Sequence, residues 1–138
     1  MIQTPVTAEV EMEVPFHDVD CMAVAWHGHY VKYFEIARCA LLRRFDYDYP
    51  QMHASGYLWP VVELQLKYVR PARYGQRIKV CATLVEYENR LKIAYRIEDV
   101  LSGEALTKGH SIQVAVETKS GELQFASPEI LRRNVEPL

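Results

Sequence analysis

The sequence predicts an α+β domain, one long helix wrapped by a curled five-stranded antiparallel sheet, and three observations predict it. Apolar residues recur at Tyr30, Phe34, Ala37, Leu41 and Phe45, a spacing of threes and fours that lines one side of a helix. Elsewhere, apolar and polar residues alternate with the period of two that marks a half-buried strand. The order is one strand, one helix, then four strands, so a single helix must cover one face of the sheet.

From Glu9 to Phe16, Val10, Met12 and Val14 face one way and Glu9, Glu11 and Glu13 the other, a first strand that Pro15 ends. The helix begins near Gly28. Asp46-Tyr-Asp-Tyr-Pro50 breaks its pattern, and a short helical turn is expected from Pro50 to Ser55, before Gly56. Val62, Leu64, Leu66 and Tyr68 form a second strand, Ile78, Val80, Ala82 and Leu84 a third, Leu91, Ile93, Tyr95 and Ile97 a fourth, and Ile112, Val114 and Val116 a fifth. Turn signals at Glu88-Asn89-Arg90, Ser102-Gly103 and Ser120-Gly121 separate runs close enough for antiparallel hairpins. Ser127-Pro128-Glu129 reads as N-cap, first helical position and acidic first turn of a terminal helix. The outer face of the sheet carries Arg77, Lys79, Lys92 and Arg96 beside Val61, Cys81, Val85 and Ala94, which makes it a candidate for self-association.

The 138 residues are expected to form one domain. A chain of this length buries roughly two-thirds of its unfolded surface, which leaves little mass for walling off a deep chamber. Sixteen Lys and Arg against eighteen Asp and Glu give a net charge of −2, without the positive excess that phosphate-dominated nucleic-acid binding requires. Cys21, Cys39 and Cys81 are odd in number and widely spaced, so neither a disulfide framework nor a zinc ribbon is encoded. Met1 to Val10 has no basic segment followed by an apolar one, and no run approaches the ~20 apolar residues of a membrane span. A cytoplasmic protein without a membrane span is expected.

The residues suited to chemistry crowd between the first strand and the helix, in Phe16-His-Asp-Val-Asp20-Cys-Met-Ala-Val-Ala-Trp26-His-Gly-His-Tyr30. If the helix starts near Gly28, free amides of its first turn, including that of His27 or His29, face the space in front of this loop. Such amides stabilise negative charge developing on an oxygen, as ester or thioester hydrolysis requires. An ionised carboxylate beside them suits a nucleophile or base rather than an acid. Asp18 and Asp20 also fit the blander roles of caps and loop hydrogen-bonders. A metal site of His27, His29, Asp18, Asp20 and Glu35 lacks a recognisable spacing, and Cys21 lacks a partner that would orient a base. Glu35 and Arg38, three apart on the helix, can pair with each other.

Asp18-Val-Asp20, Trp26-His27, Tyr30 and Tyr33-Phe34-Glu35-x-Ala37-Arg38 resemble the signature of the 4-hydroxybenzoyl-CoA thioesterase family, hotdog-fold acyl thioesterases that include a Tol-Pal-associated subgroup. Tyr68-Val-Arg-Pro-Ala-Arg-Tyr-Gly75 is similar to the family's segment leading into its third strand. The resemblance spans nearly the whole chain and implies the hotdog fold. It also implies hydrolysis of acyl-CoA or acyl-carrier-protein thioesters, with Asp20 as nucleophile or general base and the His27 amide polarising the carbonyl. Neither metal nor redox cofactor is implied. Trp26, His29 and Tyr30 would border the acyl group. Arg70 and Arg73, in the densest positive segment of the chain, and Arg90, beside Lys92, would attract CoA phosphates or an acidic carrier. The resemblance further implies dimers joined edge to edge, often paired into tetramers, with the site between one subunit's Asp20 loop and its neighbour's helix.

Two positions depart from the family pattern. Ala23 stands where Gly is usual and needs a backbone acceptable to a Cβ; His29 stands where Asn is common and changes the polarity of the pocket. A hotdog dehydratase of 3-hydroxyacyl thioesters, for which no His-plus-acid motif is present, and a non-catalytic acyl-binding scaffold are the competing readings.

Overall fold

A computed structural model describes residues 5–138; the first residues of the N-terminal stretch read for a leader lie outside them. The strands are β1 (Thr7–Glu13), β2 (Tyr57–Leu58), β3 (Val61–Tyr68), β4 (Arg77–Glu86), β5 (Leu91–Asp99), β6 (Ala105–Gln113) and β7 (Val116–Glu117). The helices are α1 (His29–Arg44), α2 (Tyr49–Ala54) and α3 (Glu129–Val135). Five strands make an antiparallel sheet in the order β1-β4-β5-β6-β3, and β2 pairs with β7 in a separate ribbon.

The helical stripe is buried as its spacing predicts: Tyr30, Phe34, Ala37, Leu41 and Phe45 all lie in the core, joined by Tyr33 and Leu42. They meet Ile78, Val80, Ala82 and Leu84 of β4 and Leu91, Ile93, Tyr95 and Ile97 of β5, also buried. Phe34 stacks on Tyr95 at 4.4 Å between ring centroids, 7° from parallel. Full burial of each large apolar side chain contributes about 1.5–3 kcal/mol, so this layer holds α1 in place. None of the described helices is long and apolar enough to cross a membrane.

Four expectations are corrected. The strand expected around Ile112, Val114 and Val116 runs over Ala105–Gln113; Gly109 and His110 break its alternation. A Cβ on Gly109 would sit 2.2 Å from the Gln65 carbonyl oxygen and 2.9 Å from the Phe34 ring, so only glycine lets β3 and α1 approach β6 this closely. Second, β3 forms no hairpin with β4. It crosses to the far edge and pairs with β6, placing Leu66 opposite Gly109. Third, a bulge between Val61 and Glu63 shifts the alternation, and Val61, opposite Gln113, turns to the helix side instead of the outer face. Fourth, the N-cap of α3 is Pro128 rather than Ser127.

The outer face is laced with charge. Lys79 Nζ lies 3.1 Å from Glu98 and 3.8 Å from Glu9, and Arg96 Nε lies 2.7 Å from Glu98. β3 differs: it is an outer edge of the sheet, and Val61, Val62, Leu64 and Tyr68 are all exposed.

Candidate active site

The loop between β1 and α1 is held by Asp18. One 3-10 turn (Phe16–Asp18) tucks its side chain inward until the residue is 1% exposed. There Lys32 Nζ donates to Oδ1 at 2.5 Å and the Tyr33 hydroxyl donates to Oδ2 at 2.8 Å. Burial pushes the Asp18 carboxyl up, but the hydrogen bonds from Lys32 and Tyr33 outweigh it, and the group ends below the ordinary aspartate range. Burial and the same carboxylate push the Tyr33 phenol up. The Asp18 carbonyl accepts the Trp26 N–H at 3.0 Å, closing the loop on itself.

Asp20, two residues on, emerges on the other side and is exposed. Its Oδ1 accepts the Met22 N–H at 2.8 Å, and the Ala23 N–H donates to its carbonyl at 3.0 Å. This tight turn requires Ala23 at φ 61°. The expected backbone acceptable to a Cβ is therefore corrected: Ala23 occupies the left-handed region that a Cβ disfavours by about 1–2 kcal/mol. Glycine relieves that strain and loses part of the gain to its freer unfolded chain. Ala23→Gly should stabilise the fold by about 0.5–1 kcal/mol, read as a melting temperature raised by a few degrees.

α1 starts without a capping side chain or an acidic residue in its first turn, so no side chain of its own first turn occupies its free amides. Gly28 precedes it because the Trp26 indole folds across this position; a Cβ there would lie 2.1 Å from the ring. The His29 N–H is spent on the Trp26 carbonyl at 2.9 Å. The His27 N–H, by contrast, meets no acceptor among the described residues. The Tyr68 hydroxyl donates to the His27 carbonyl, on the next peptide, at 2.8 Å and thereby ties the end of β3 to this residue.

A pocket of about 410 Å³ opens here, lined by Asp20, His27, Tyr30, Tyr68 and Arg70 among others. Tyr30 is part of its floor: its hydroxyl accepts the Ala72 N–H at 2.9 Å, and its ring packs 5.1 Å from that of Tyr68. Burial pushes the Tyr30 phenol up, so it stays neutral. Arg70 is mostly exposed, with Glu104 at 3.7 Å. The structure thus gathers Asp20, His27, Tyr30 and Arg70 around one space and leaves four other named residues outside it. Trp26 and His29 pack edge to face at 5.5 Å. Arg73 forms an isolated bridge with Val24. Arg90 pairs with Glu86 at 2.9 Å, beside Leu91, which shares a rung with Gln113 and thereby with Val61, at the opposite end of β3 from Tyr68. Glu35 and Arg38 do pair, at 3.6 Å. Among the described residues, no three His, Cys, Asp or Glu side chains converge to hold a metal ion.

Sequence reasoning missed Tyr68 and the Lys32 and Tyr33 contacts of Asp18. Lys32 and Tyr33 are adjacent on α1, but nothing in the sequence shows that a loop carboxylate turns toward them.

A helix cradled in a five-stranded sheet, with a carboxylate loop opening at the helix start, is the hotdog arrangement of acyl thioesterases. Residues 14–133 match the model of the thioesterase-like superfamily, and the chain belongs to that family. It is 29% identical over 111 residues, 80% of each chain, to the Bacillus subtilis (strain 168) protein named "Putative acyl-CoA thioesterase YneP". Among solved structures it is similar to a hypothetical protein of Thermus thermophilus, 30% identical with a TM-score of 0.80 over 91% of this chain and 95% of that one. A DHNA-CoA thioesterase of Staphylococcus aureus is 25% identical, with a TM-score of 0.77 over 85% of this chain and 78% of that one.

Proposed function

We propose that the protein hydrolyses acyl-CoA or acyl-carrier-protein thioesters to free acid and thiol. The observation that carries this is the single pocket lined by both the Asp20 carboxylate and the uncapped start of α1 at His27. The substrate carbonyl oxygen lies against the His27 N–H. Asp20 then either attacks the carbonyl carbon, giving an anhydride that water opens, or takes a proton from the water that attacks. In both cases negative charge grows on the carbonyl oxygen and is held by the His27 amide. The C–S bond breaks, and the thiolate leaves and is protonated. Membership of the 4-hydroxybenzoyl-CoA branch, and of its Tol-Pal-associated subgroup, is part of this reading, as is a reducing cytoplasmic setting for the free thiols of Cys21, Cys39 and Cys81. A panel of acyl-CoA and acyl-carrier thioesters assayed for thiol release tests it. Release from at least one is expected, and none from any chain length or carrier would overturn it.

The functional unit in this reading is a dimer, paired further into a tetramer. An exposed edge strand with a row of apolar side chains is a template for another strand, and a two-fold axis pairs β3 antiparallel with its own copy. That pairing sets the Val61 end of one subunit against the Tyr68 end of the other, adding walls to the Asp20 pocket. It also carries the neighbour's Arg90 and Lys92 toward that pocket. On dilution, specific activity should fall in step with the appearance of monomer in sedimentation; a fully active monomer would contradict the shared site.

A further inference from the structure

The His27 N–H belongs to the peptide between Trp26 and His27, and its direction depends on how the peptides on both sides of the His27 α-carbon are held. On one side the Trp26 carbonyl accepts the His29 N–H at 2.9 Å, which in a trans peptide turns the His27 N–H the opposite way. On the other side the His27 carbonyl accepts the Tyr68 hydroxyl at 2.8 Å, its one donor among the described residues. The next residue is Gly28, which the Trp26 ring requires and whose backbone is the most permissive of any residue. Without Tyr68, the His27–Gly28 peptide is free to rotate about this glycine, and the φ and ψ of His27 are no longer fixed.

Tyr68 is itself rigidly placed. It pairs with Thr107 at the end of β3, and the N–H groups of the two residues after it, Val69 and Arg70, both donate to the Leu106 carbonyl, at 2.9 and 3.0 Å. Its ring stands edge to face with the buried Tyr30, 5.1 Å between centroids. A hydroxyl fixed on the sheet thus reaches across to a residue of the loop before α1.

We propose that Tyr68 is a positioning residue: its bond to the His27 carbonyl holds the His27 N–H in line for a substrate carbonyl oxygen. The inference rests on the thioesterase reading. The Tyr68 O–H is spent on His27, so it acts through that residue. Charge on the substrate oxygen is greater in the transition state than in the bound thioester, so lost alignment is felt in turnover more than in binding.

Tyr68→Phe removes one oxygen and keeps the ring against Tyr30. For a thioester that the wild-type protein hydrolyses, kcat should fall about tenfold, the effect of one hydrogen bond, with KM and melting temperature close to wild type. Two CoA analogues separate alignment from general loosening: a trifluoromethyl ketone, tetrahedral as its hydrate, and a thioether without a carbonyl oxygen. The wild-type protein should prefer the ketone, and Tyr68→Phe should weaken its Kd about tenfold while leaving that of the thioether unchanged. An unchanged kcat and ketone Kd in the folded variant would overturn the inference and leave the hydrolase reading standing. Equal weakening of both analogues would also overturn it, as would a wild-type protein that does not prefer the ketone. Selective loss of the ketone, with no thiol release from any thioester, would uphold the role of Tyr68 and sink the hydrolase reading instead. If the Phe variant fails to fold, Tyr68→Met, which also lacks the hydroxyl, repeats the comparison.

Discussion

Asp20→Asn should lower thiol release from acyl-CoA by about 10²–10⁴-fold, the range lost when a positioned base or nucleophile is removed. The fold should be unaffected. Asp20 is exposed and its contribution to the loop is as an acceptor for the Met22 N–H, which the Asn carbonyl oxygen reproduces at the same place. The expected signature is therefore a kcat near background, an unchanged melting temperature and thioester binding close to that of the wild-type protein. Hydrolysis at wild-type rates by the folded Asn variant would remove Asp20 from the mechanism. A non-catalytic scaffold would show no thiol release before or after the change.

Asp18 should behave the opposite way. Asp18→Asn weakens the hydrogen bond from Lys32 and, with its amide nitrogen facing either donor, leaves one of them without an acceptor. Lys32 is partly exposed and can turn to water, but Tyr33 is fully buried, so its hydroxyl bears most of the loss, about 1–3 kcal/mol. A melting temperature lower by roughly 4–10 °C is expected, with hydrolysis retained below it. The pH dependence follows from the lowered carboxyl. A group bound more tightly as an anion in the folded state contributes its full stability above its unfolded value, about 4. That contribution drains away as pH falls through the lower folded value. The gap in melting temperature between wild type and Asp18→Asn should hold steady at neutral pH and close below pH ~4. A gap independent of pH down to strong acid would mean that the Asp18 charge is not what pins the loop.

The contrast between these two aspartates shows where sequence legibility ends. The stripe on α1 and the alternation in β4 and β5 follow from burial on one side, so their inward residues could be named in advance. Asp18 and Asp20 share a residue type, a loop and a spacing of two. Extended geometry would place residues two apart on the same side; the 3-10 turn that ends at Asp18 separates them, and which of the two is buried depends on Lys32 and Tyr33 on another element. The extent of β6 escaped for a similar reason: Gly109 looks like a strand breaker until the Gln65 carbonyl and the Phe34 ring are seen to occupy the space of its side chain. The crossover of β3 and the bulge at Val61 are non-local and leave no periodic trace.

Both edge strands of the main sheet, β1 and β3, come from the N-terminal half of the chain, and the three strands between them come from the C-terminal half. A nascent chain that ends before Arg77 therefore has no main-sheet pairing open to it. The run β4-β5-β6, joined by short turns, has the lowest loop-closure cost and is the natural nucleus. Substitutions in that run should slow folding, whereas substitutions in β1, β3 or the Asp18 loop should mainly hasten unfolding. The Asp20 loop and the strand that closes its pocket dock onto a core made without them, so the capacity to act on a substrate is acquired at the end of folding and is the first to be lost when the structure loosens.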